Sequence, residues 1–404
     1  MVPEGWICRP LEQIAKISSG GTPSRANAAF WGGNIPWVTT AEVNSSLICD
    51  TKEKITQLGL ESSSAKLYQP GTILLAMYGQ GKTRGQVAML GIQAATNQAC
   101  AAIVLKQNYD GEFYFYYLQS RYEYIRGLSN SGSQENLSAG LIKEITVPIP
   151  PVAEQAKIAK ILSTWDKAIT ITEQILEKTQ LQKKSLMQWM LTGKRRFADF
   201  ADEWQKITLS SLIKEVKRPV AWDDSSEYKL LSVKRRSEGV VLREVLLGHQ
   251  ILTKKMNVAH SGDFLISKMQ VVHGAMGLVS TQHHAHHISD SYICLIPKDE
   301  KKIDMVFFAW YCKQKTMYHK AYLCSYGVHI EKMTFNFELF LKEKIEIPPS
   351  IKEQQKIASA LSTVDQEIAV LQQKLAGLKQ EKKALLQQLL TGKRRVQVDA
   401  LEVA

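Results

Sequence analysis

Much of what would mark a membrane protein, a secreted domain or an enzyme is missing from these 404 residues. No stretch approaches an uninterrupted apolar run of roughly 18 residues, so no membrane helix is expected. The first residues, MVPEGWICRP, lack the basic-then-apolar order of a signal peptide, which leaves the cytoplasm as the expected location. Six cysteines (Cys8, Cys49, Cys100, Cys294, Cys312 and Cys324) are widely spaced, with no C-x-x-C pair. They read as reduced, half-buried thiols rather than a disulfide or zinc framework. No G-x-S-x-G, H-E-x-x-H or kinase set is present, nor an Asn-Pro-Pro-Tyr-like methyltransferase motif. The tract HHAHH (His283–His287) has no Cys or carboxylate partner at familiar metal-ligand spacing, although Asp290 is near; a surface turn between strands is expected, and no metal.

One stretch does resemble a nucleotide site. In LLAMYGQGKTRG (Leu74 to Gly85), A-x-x-x-x-G-K-T is one Gly-for-Ala change from a P-loop. A P-loop needs its Lys-Thr to open a helix whose N-terminus holds the phosphates. Here Gly85 stands where the first turn should be, and strand-like residues follow. No apolar strand ends in an aspartate suited to magnesium. A strand-loop-strand presenting Tyr78, Gln80, Lys82, Thr83 and Arg84 is the better reading. An NTPase reading would require ATP binding abolished by Lys82→Ala.

What is present is ordinary soluble composition, 45% apolar and 22% charged, with length for two or three domains and a formal charge of +12. That charge favours a polyanionic partner. About +8 of it falls on two helical segments with their tails and about +4 on the remaining two regions. A non-specific binder of polyanions would put its charge on the contacting surface, so modest charge on those two regions does not suit one.

A duplication organises the chain. EQAKIAKILSTWDKAITITEQILEKTQLQKKSLMQWMLTGKRR (154–196) recurs as EQQKIASALSTVDQEIAVLQQKLAGLKQEKKALLQQLLTGKRR (353–395), ungapped and about half identical. Fainter echoes precede each copy. Trp6 and Leu11 correspond to Trp204 and Leu209, GTILLAM to GDFLISK, and ATNQACAAIVLK to HISDSYICLIPK. Pro150-Pro151 and Pro348-Pro349 sit near the helix starts. Ser350 and Glu353 have capping-box spacing. Gly193 and Gly392 suit left-handed C-terminal caps, and the Lys-Arg-Arg beside each complements the negative helix end.

Between these ends apolar positions step by four and three. The first seam is Ile158, Leu162, Trp165, Ile169, Thr172, Leu176, Thr179, Lys183, Leu186 and Met190. The second is Ile357, Leu361, Val364, Ile368, Leu371, Leu375, Leu378, Lys382, Leu385 and Leu389. Nearly forty residues at about 1.5 Å each predict helices of roughly 55–60 Å. Lys183 and Lys382 interrupt the seams at equivalent positions. Either they set register or mark a docking point, or they snorkel from an imperfect seam.

The expected fold class is α+β: two globular mixed α/β domains separated by two long antiparallel helices in an intramolecular coiled coil, with a pseudo-twofold repeat. The expected boundaries are 1–150 and 198–348 for the heads, 151–197 and 349–396 for the helices, and 397–404 for a tail. An antiparallel pair would act as a calliper carrying two reading heads.

Gln reads adenine bidentately, Arg and Lys read guanine, and hydroxyls or lysines hold phosphates. Candidate DNA contacts are therefore Thr22, Ser24, Arg25, Tyr78, Gln80, Lys82, Thr83 and Arg84 in the first head. In the second they are Lys234, Arg235, Arg236, Lys268, Gln270, His273, Tyr326 and His329.

With these residues in view, the chain resembles the specificity subunit of Type I restriction–modification enzymes. The resemblance rests on GGTPSR…FWGGNIPWVTTAEV, on ILLAMYGQGKTRGQVAML…ATNQACAAI, and on the paired IPP…EQ-x-K-I-A helices ending LTGKRR. It implies a non-catalytic chain without a cofactor, whose two target-recognition domains each read half of a split site on double-stranded DNA. It also implies docking of two modification subunits that methylate adenine N6 with S-adenosylmethionine after flipping the base. Two restriction subunits would add ATP- and magnesium-dependent translocation and cleavage. The second head lacks GGTPS…WGG and has VKRPVAWDDSSEYKLLSV instead, so an asymmetric target is expected. A coiled-coil scaffold without DNA readout is the remaining alternative, and a footprint without sequence preference would favour it.

Overall fold

The computed structural model describes residues 3–79, 81–130, 136–327, 329–330 and 333–398. Its contacts cut across the linear order of the chain. One compact unit comprises Met1–Glu173 with Gln373–Ala404, and the other Gln174–Gln372. Each holds one head and half of each long helix, Val152–Met190 and Ile351–Leu389.

In the first unit a five-stranded sheet runs in the order Ala15–Ser19, Cys100–Leu105, Ile73–Ala76, Val87–Leu90, Leu47–Ile48. A four-stranded sheet is ordered Glu53–Ile55, Trp31–Val38, Ala94–Thr96, Leu67–Tyr68. Its second and third strands are parallel, with Trp37 opposite Ala95. Alternation explains why ILLA is apolar throughout. Ile73 and Leu75 face a core shared with the helices, while Leu74 and Ala76 face a second core containing Val38 and Ala102.

The second unit repeats this plan. Ile213–Glu215, Tyr292–Pro297, Phe264–Ser267 and Met276–Leu278 form one sheet in that order. The other is Val240–Leu247, Glu227–Val233, His286–Ser289, Met256–Ala259, again with one parallel pairing, Leu230 opposite His287. Phe264 and Ile266 face the helix-side core and Leu265 the other.

In the first unit the five-stranded sheet is followed by two short helices, Gly111–Ser120 and Tyr122–Gly127, broken at Arg121. Asp110 caps the first by accepting from Phe113 N at 2.8 Å. In the second unit Asp304 caps Met305–Cys312 in the same way. These caps explain the glutamine of each E-Q motif. Gln155 accepts from Asp110 N (2.9 Å) and donates to Pro150 O; Gln354 accepts from Asp304 N (2.9 Å) and donates to Pro348 O.

Within each unit the half-helices run antiparallel. In the first, Asp166 meets Lys382 and Glu154 meets Arg395; in the second, Lys183 meets Asp365 and Arg196 meets Glu353. Seam residues Ile158, Leu162, Ile357, Leu361 and Ile368 are buried, and Trp165, Ile169, Leu176, Leu186, Val364, Leu375 and Leu385 are half-buried.

Two expectations at the helix ends need correction. Glu353 does not close a capping box with Ser350; its carboxylate is turned to Arg196, with contacts of 2.8 Å to Nε and Nη2. The final arginine of each Lys-Arg-Arg likewise serves a glutamate on the opposite helix rather than its own helix terminus. A buried carboxylate facing a guanidinium fork outcompetes both weaker local roles. Gly193 and Gly392 each have φ +69°, and a Cβ would lie 3.3 Å from Trp204 at the first and 2.4 Å from Pro3 at the second.

Candidate nucleic-acid interface

In the first unit the two candidate loops converge on the turn at 97–99. The first begins at Gly20-Gly21, which must be glycine: a Cβ on Gly20 would lie 1.8 Å from Thr96 O. Thr22 then donates its hydroxyl to Gln98, and Gly21 N donates to Thr96 O at 2.8 Å. Ser24 is exposed and its carbonyl accepts from Trp31 Nε1. Arg25 lies 3.7 Å over the Trp31 ring and pairs bidentately with Glu53 at 2.5 and 2.8 Å. Hydrogen bonding from Arg25 draws the Glu53 carboxyl below its usual range. Both partners are substantially exposed, so the pair contributes little to stability and instead fixes the plane of the guanidinium.

The second loop, between Ile73–Ala76 and Val87–Leu90, is a hairpin connection with no helix after Lys82-Thr83. Gly85 N donates to Ala76 O at 2.9 Å, and Gly85 leans on the Arg126 backbone. That geometry leaves no helix N-terminus for a nucleotide phosphate. Tyr78 and Lys82 are exposed, and Thr83 and Arg84 half-buried. Arg84 Nε is buried without a hydrogen-bond partner among the described residues. Gln80 lies outside the described residues. Met77 N donates to Ala99 O at 2.8 Å, bringing this loop beside Gln98.

Gln98 itself was not singled out from sequence. Its exposed amide stands between both loops, and only the fold places it there. Tyr122 is a second such residue. Its hydroxyl donates to Lys82 O (2.9 Å) and accepts from Arg126 (2.8 Å).

In the second unit backbone bonds join most of the candidates into one surface. Lys234, Arg235 and Arg236 are exposed on a turn whose next residue, Ser237, donates to Gly274 O at 2.8 Å. Gly274 closes the 3-10 turn Val271–His273 that carries His273 and follows Gln270. Gln270 Oε1 is buried without a partner among the described residues, in the loop equivalent to that of Arg84. Lys268 Nζ donates to Asp290 O (2.6 Å), and Lys268 O accepts from Phe335 N. Phe335 pairs across a short hairpin with Ser325, beside Tyr326, whose exposed ring accepts a bond from Asn336 at its hydroxyl. His329 is exposed, and among the described residues no contact ties it to the others.

The histidine tract is not simply a surface turn. His283 is buried, His286 and His287 lie in a strand, and His260 stacks on His284 at 4.9 Å. Among the described residues no group of three or more His, Cys, Asp or Glu is placed to hold a metal. No described helix is long and apolar enough to cross a membrane.

Comparison with known proteins gives a consistent result. The chain is 29% identical over 189 residues to the Type I restriction enzyme MjaIX specificity subunit of Methanocaldococcus jannaschii, covering 45% of this chain and 43% of that relative. In that match the chain therefore spans under half the relative's length. The putative type I restriction enzyme MjaX specificity subunit of the same organism is 25% identical over 434 residues, covering 98% and 95%. The fold is shared with a crystal structure of the Type I restriction-modification system S subunit from M. genitalium, at TM-score 0.61 and 14% identity over 96% of both chains. The HsdS subunit from Thermoanaerobacter tengcongensis matches at TM-score 0.52 and 17% identity over 97% of this chain and 98% of that one. The family model described as Type I restriction modification DNA specificity domain matches residues 3–181 and 201–380, and the chain belongs to that family.

Proposed function

We propose that this chain is the DNA-recognition subunit of a Type I restriction–modification complex, each head reading one half of an asymmetric bipartite site. The observation that carries this is a duplicated frame with unlike loops. Both heads share the strand order of their two sheets, apart from the extra edge strand Leu47–Ile48 in the first, and the same cap-to-helix bonds. Yet the turn after the strand Trp31–Val38 is Thr40–Glu42, and the turn after Glu227–Val233 is Arg235–Ser237. Likewise GQGKTR in one hairpin is replaced by QVVHG in the other. One scaffold with two different polar surfaces suits reading two different sequences. The unpaired Arg84 Nε and Gln270 Oε1 support the same loops, because an orphaned buried polar atom costs about 1–3 kcal/mol and gains most from an arriving partner.

The helices set the number of base pairs between the half-sites and dock two adenine-N6 methyltransferase subunits. Ile171 in the first unit, and Ile175, Leu181 and Val370 in the second, support docking as large apolar side chains exposed off the seam. Chemistry belongs to the partners: S-adenosylmethionine in the methyltransferase, ATP and magnesium in two restriction subunits. Methylome sequencing of cells with and without the chain tests the proposal. A split motif with unlike halves, methylated only when the chain is present, is the expected result. Methylation without sequence preference would return the chain to the scaffold reading.

A further inference from the structure

The second unit contains a cleft of about 720 Å³ between its half-helices and its head, lined among others by Lys183, Lys184, Lys313, Arg236, Glu238 and Asp365. Four cations thus face two carboxylates. Asp365 is already shared, paired with Lys183 and 3.9 Å from Lys313. Both lysines also sit over the Trp310 ring, at 5.2 and 3.9 Å. Burial pushes the Lys313 ammonium below the ordinary lysine range, and Lys183 pushes the same way against Asp365. Lys184 and Arg236 are exposed and have no ion pair among the described residues.

A second observation concerns the backbone at the cleft. Arg236 and Ser237 are consecutive non-glycine residues in the left-handed region, at φ +58° and +52°. Such a conformation persists only where surroundings impose it. Here Ser237 Oγ meets Tyr318 Oη at 2.7 Å, Ser237 N is held by Gly274 O, and Lys234 N donates to Gly239 O. The strain aims Arg236 at the rim of the cleft.

The first unit is not built this way. Its equivalent turn ends in Glu42, whose carboxylate accepts from Thr39 and Lys52 backbone amides. Gln119 follows its capping aspartate, Asp110, at the distance Lys313 follows Asp304.

Building on the DNA-recognition reading, we propose that this cleft is a DNA-phosphate cradle confined to the second unit, with Lys184 and Arg236 as its ligands and Ser237 and Tyr318 as positioning residues. Continuity of Arg236 with the exposed Lys234-Arg235 run favours nucleic acid over an acidic protein segment. The cradle grips the backbone beside the second half-site without reading a base.

The test uses the full chain in complex with its methyltransferase partner and a fluorescent random-sequence 40-bp duplex titrated with salt. Lys184→Ala and Arg236→Ala should each reduce the slope of log affinity against log salt by about 0.9, with the thermal midpoint unchanged. Ser237→Ala and Tyr318→Phe should behave like Arg236→Ala. Ser237→Gly should recover most of the slope, because glycine adopts positive φ without the hydroxyl's help. Unchanged slopes in the two ligand variants would overturn the cradle. So would an altered target base, which indicates base reading, or loss of the partner on gel filtration, which indicates protein docking. Equal behaviour of Ser237→Ala and Ser237→Gly overturns the positioning role. Failure of the DNA reading looks different: the unsubstituted complex would then show no salt-dependent duplex binding.

Discussion

Lys382 Nζ lies 2.5 Å from Asp166 Oδ1 on the antiparallel half-helix, and its duplicate Lys183 is paired with Asp365 in the same way. Each lysine also lies near the face of an aromatic ring from the adjoining head, Tyr116 at 5.3 Å and Trp310 at 5.2 Å. The seam breaks are therefore cross-helix ion pairs, which fix the register of the helices in each unit. Lys382→Met should destabilise the first unit by about 1 kcal/mol, since Asp166 is 40% exposed and keeps its bond from the Tyr116 hydroxyl. Exchanging the pair (Lys382→Asp with Asp166→Lys) should recover part of the loss in a double-mutant cycle read by urea unfolding. A coupling near zero would count against the register role.

The two glutamate–arginine pairs should respond unequally. Glu353 is fully buried, and Arg196 supplies its cationic partner. Arg196→Ala therefore strands a buried carboxylate, at a cost of about 3 kcal/mol. Glu154 retains the Trp6 Nε1 bond at 3.1 Å, and Arg395 is 42% exposed. Arg395→Ala should cost roughly half as much, on the same unfolding measurement.

Gly20→Ala should damage one head only. Its Cβ would sit 1.8 Å from Thr96 O, so the loop carrying Thr22, Ser24 and Arg25 must move off the turn at 97–99. The expected outcome is loss of discrimination at the first half-site with the second intact, read by methylation of duplexes mutated in either half. Equal loss at both would show that the heads do not read independently.

Thiol reactivity should follow burial. Cys8 and Cys49 are exposed, whereas Cys100, Cys294, Cys312 and Cys324 are buried. Burial pushes Cys100 and Cys294 to about 12, so at pH 8 only about one in ten thousand is thiolate. Raised pKa values make labelling at these two increase with pH well beyond 8. Iodoacetamide at pH 8 followed by peptide mass spectrometry should modify Cys8 and Cys49 rapidly and leave the buried four unmodified until the protein unfolds.

Inserting four residues in the middle of one long helix should add about 6 Å, close to two base pairs, to the gap between half-sites. Methylome sequencing should then return the same two half-sites at wider spacing. An unchanged gap would separate gap length from helix length and sink the spacer role, and a changed half-site would count against it too.

The duplication, the helix starts to within two residues, and the strand-loop-strand at 74–85 were all legible in the chain; the helix ends were not, since Met190 and Leu389 fall seven residues short of the expected 197 and 396. Each is a local signal: a repeated string, a heptad period, a glycine where a helix would have to start. The identical residues of the repeat were visible too, but not their purpose. Glu154, Gln155, Asp166, Lys382 and Arg395 find partners 45 to more than 200 residues away in sequence, and no periodicity encodes that distance. For the same reason the sequence pointed to a capping box at Ser350, where a local pairing was in reach and the distant one was invisible.

What the sequence determined by itself is the kind of object: two unlike heads on one repeated helical frame, without a nucleotide loop. Tertiary structure alone decided which polar side chains lie together. It placed Gln98 between two loops, took Glu353 from its own helix for Arg196, and bent Arg236-Ser237 into a left-handed turn facing Lys184. Those arrangements depend on chain crossing and desolvation, which act between segments far apart in sequence and leave no mark on either one alone.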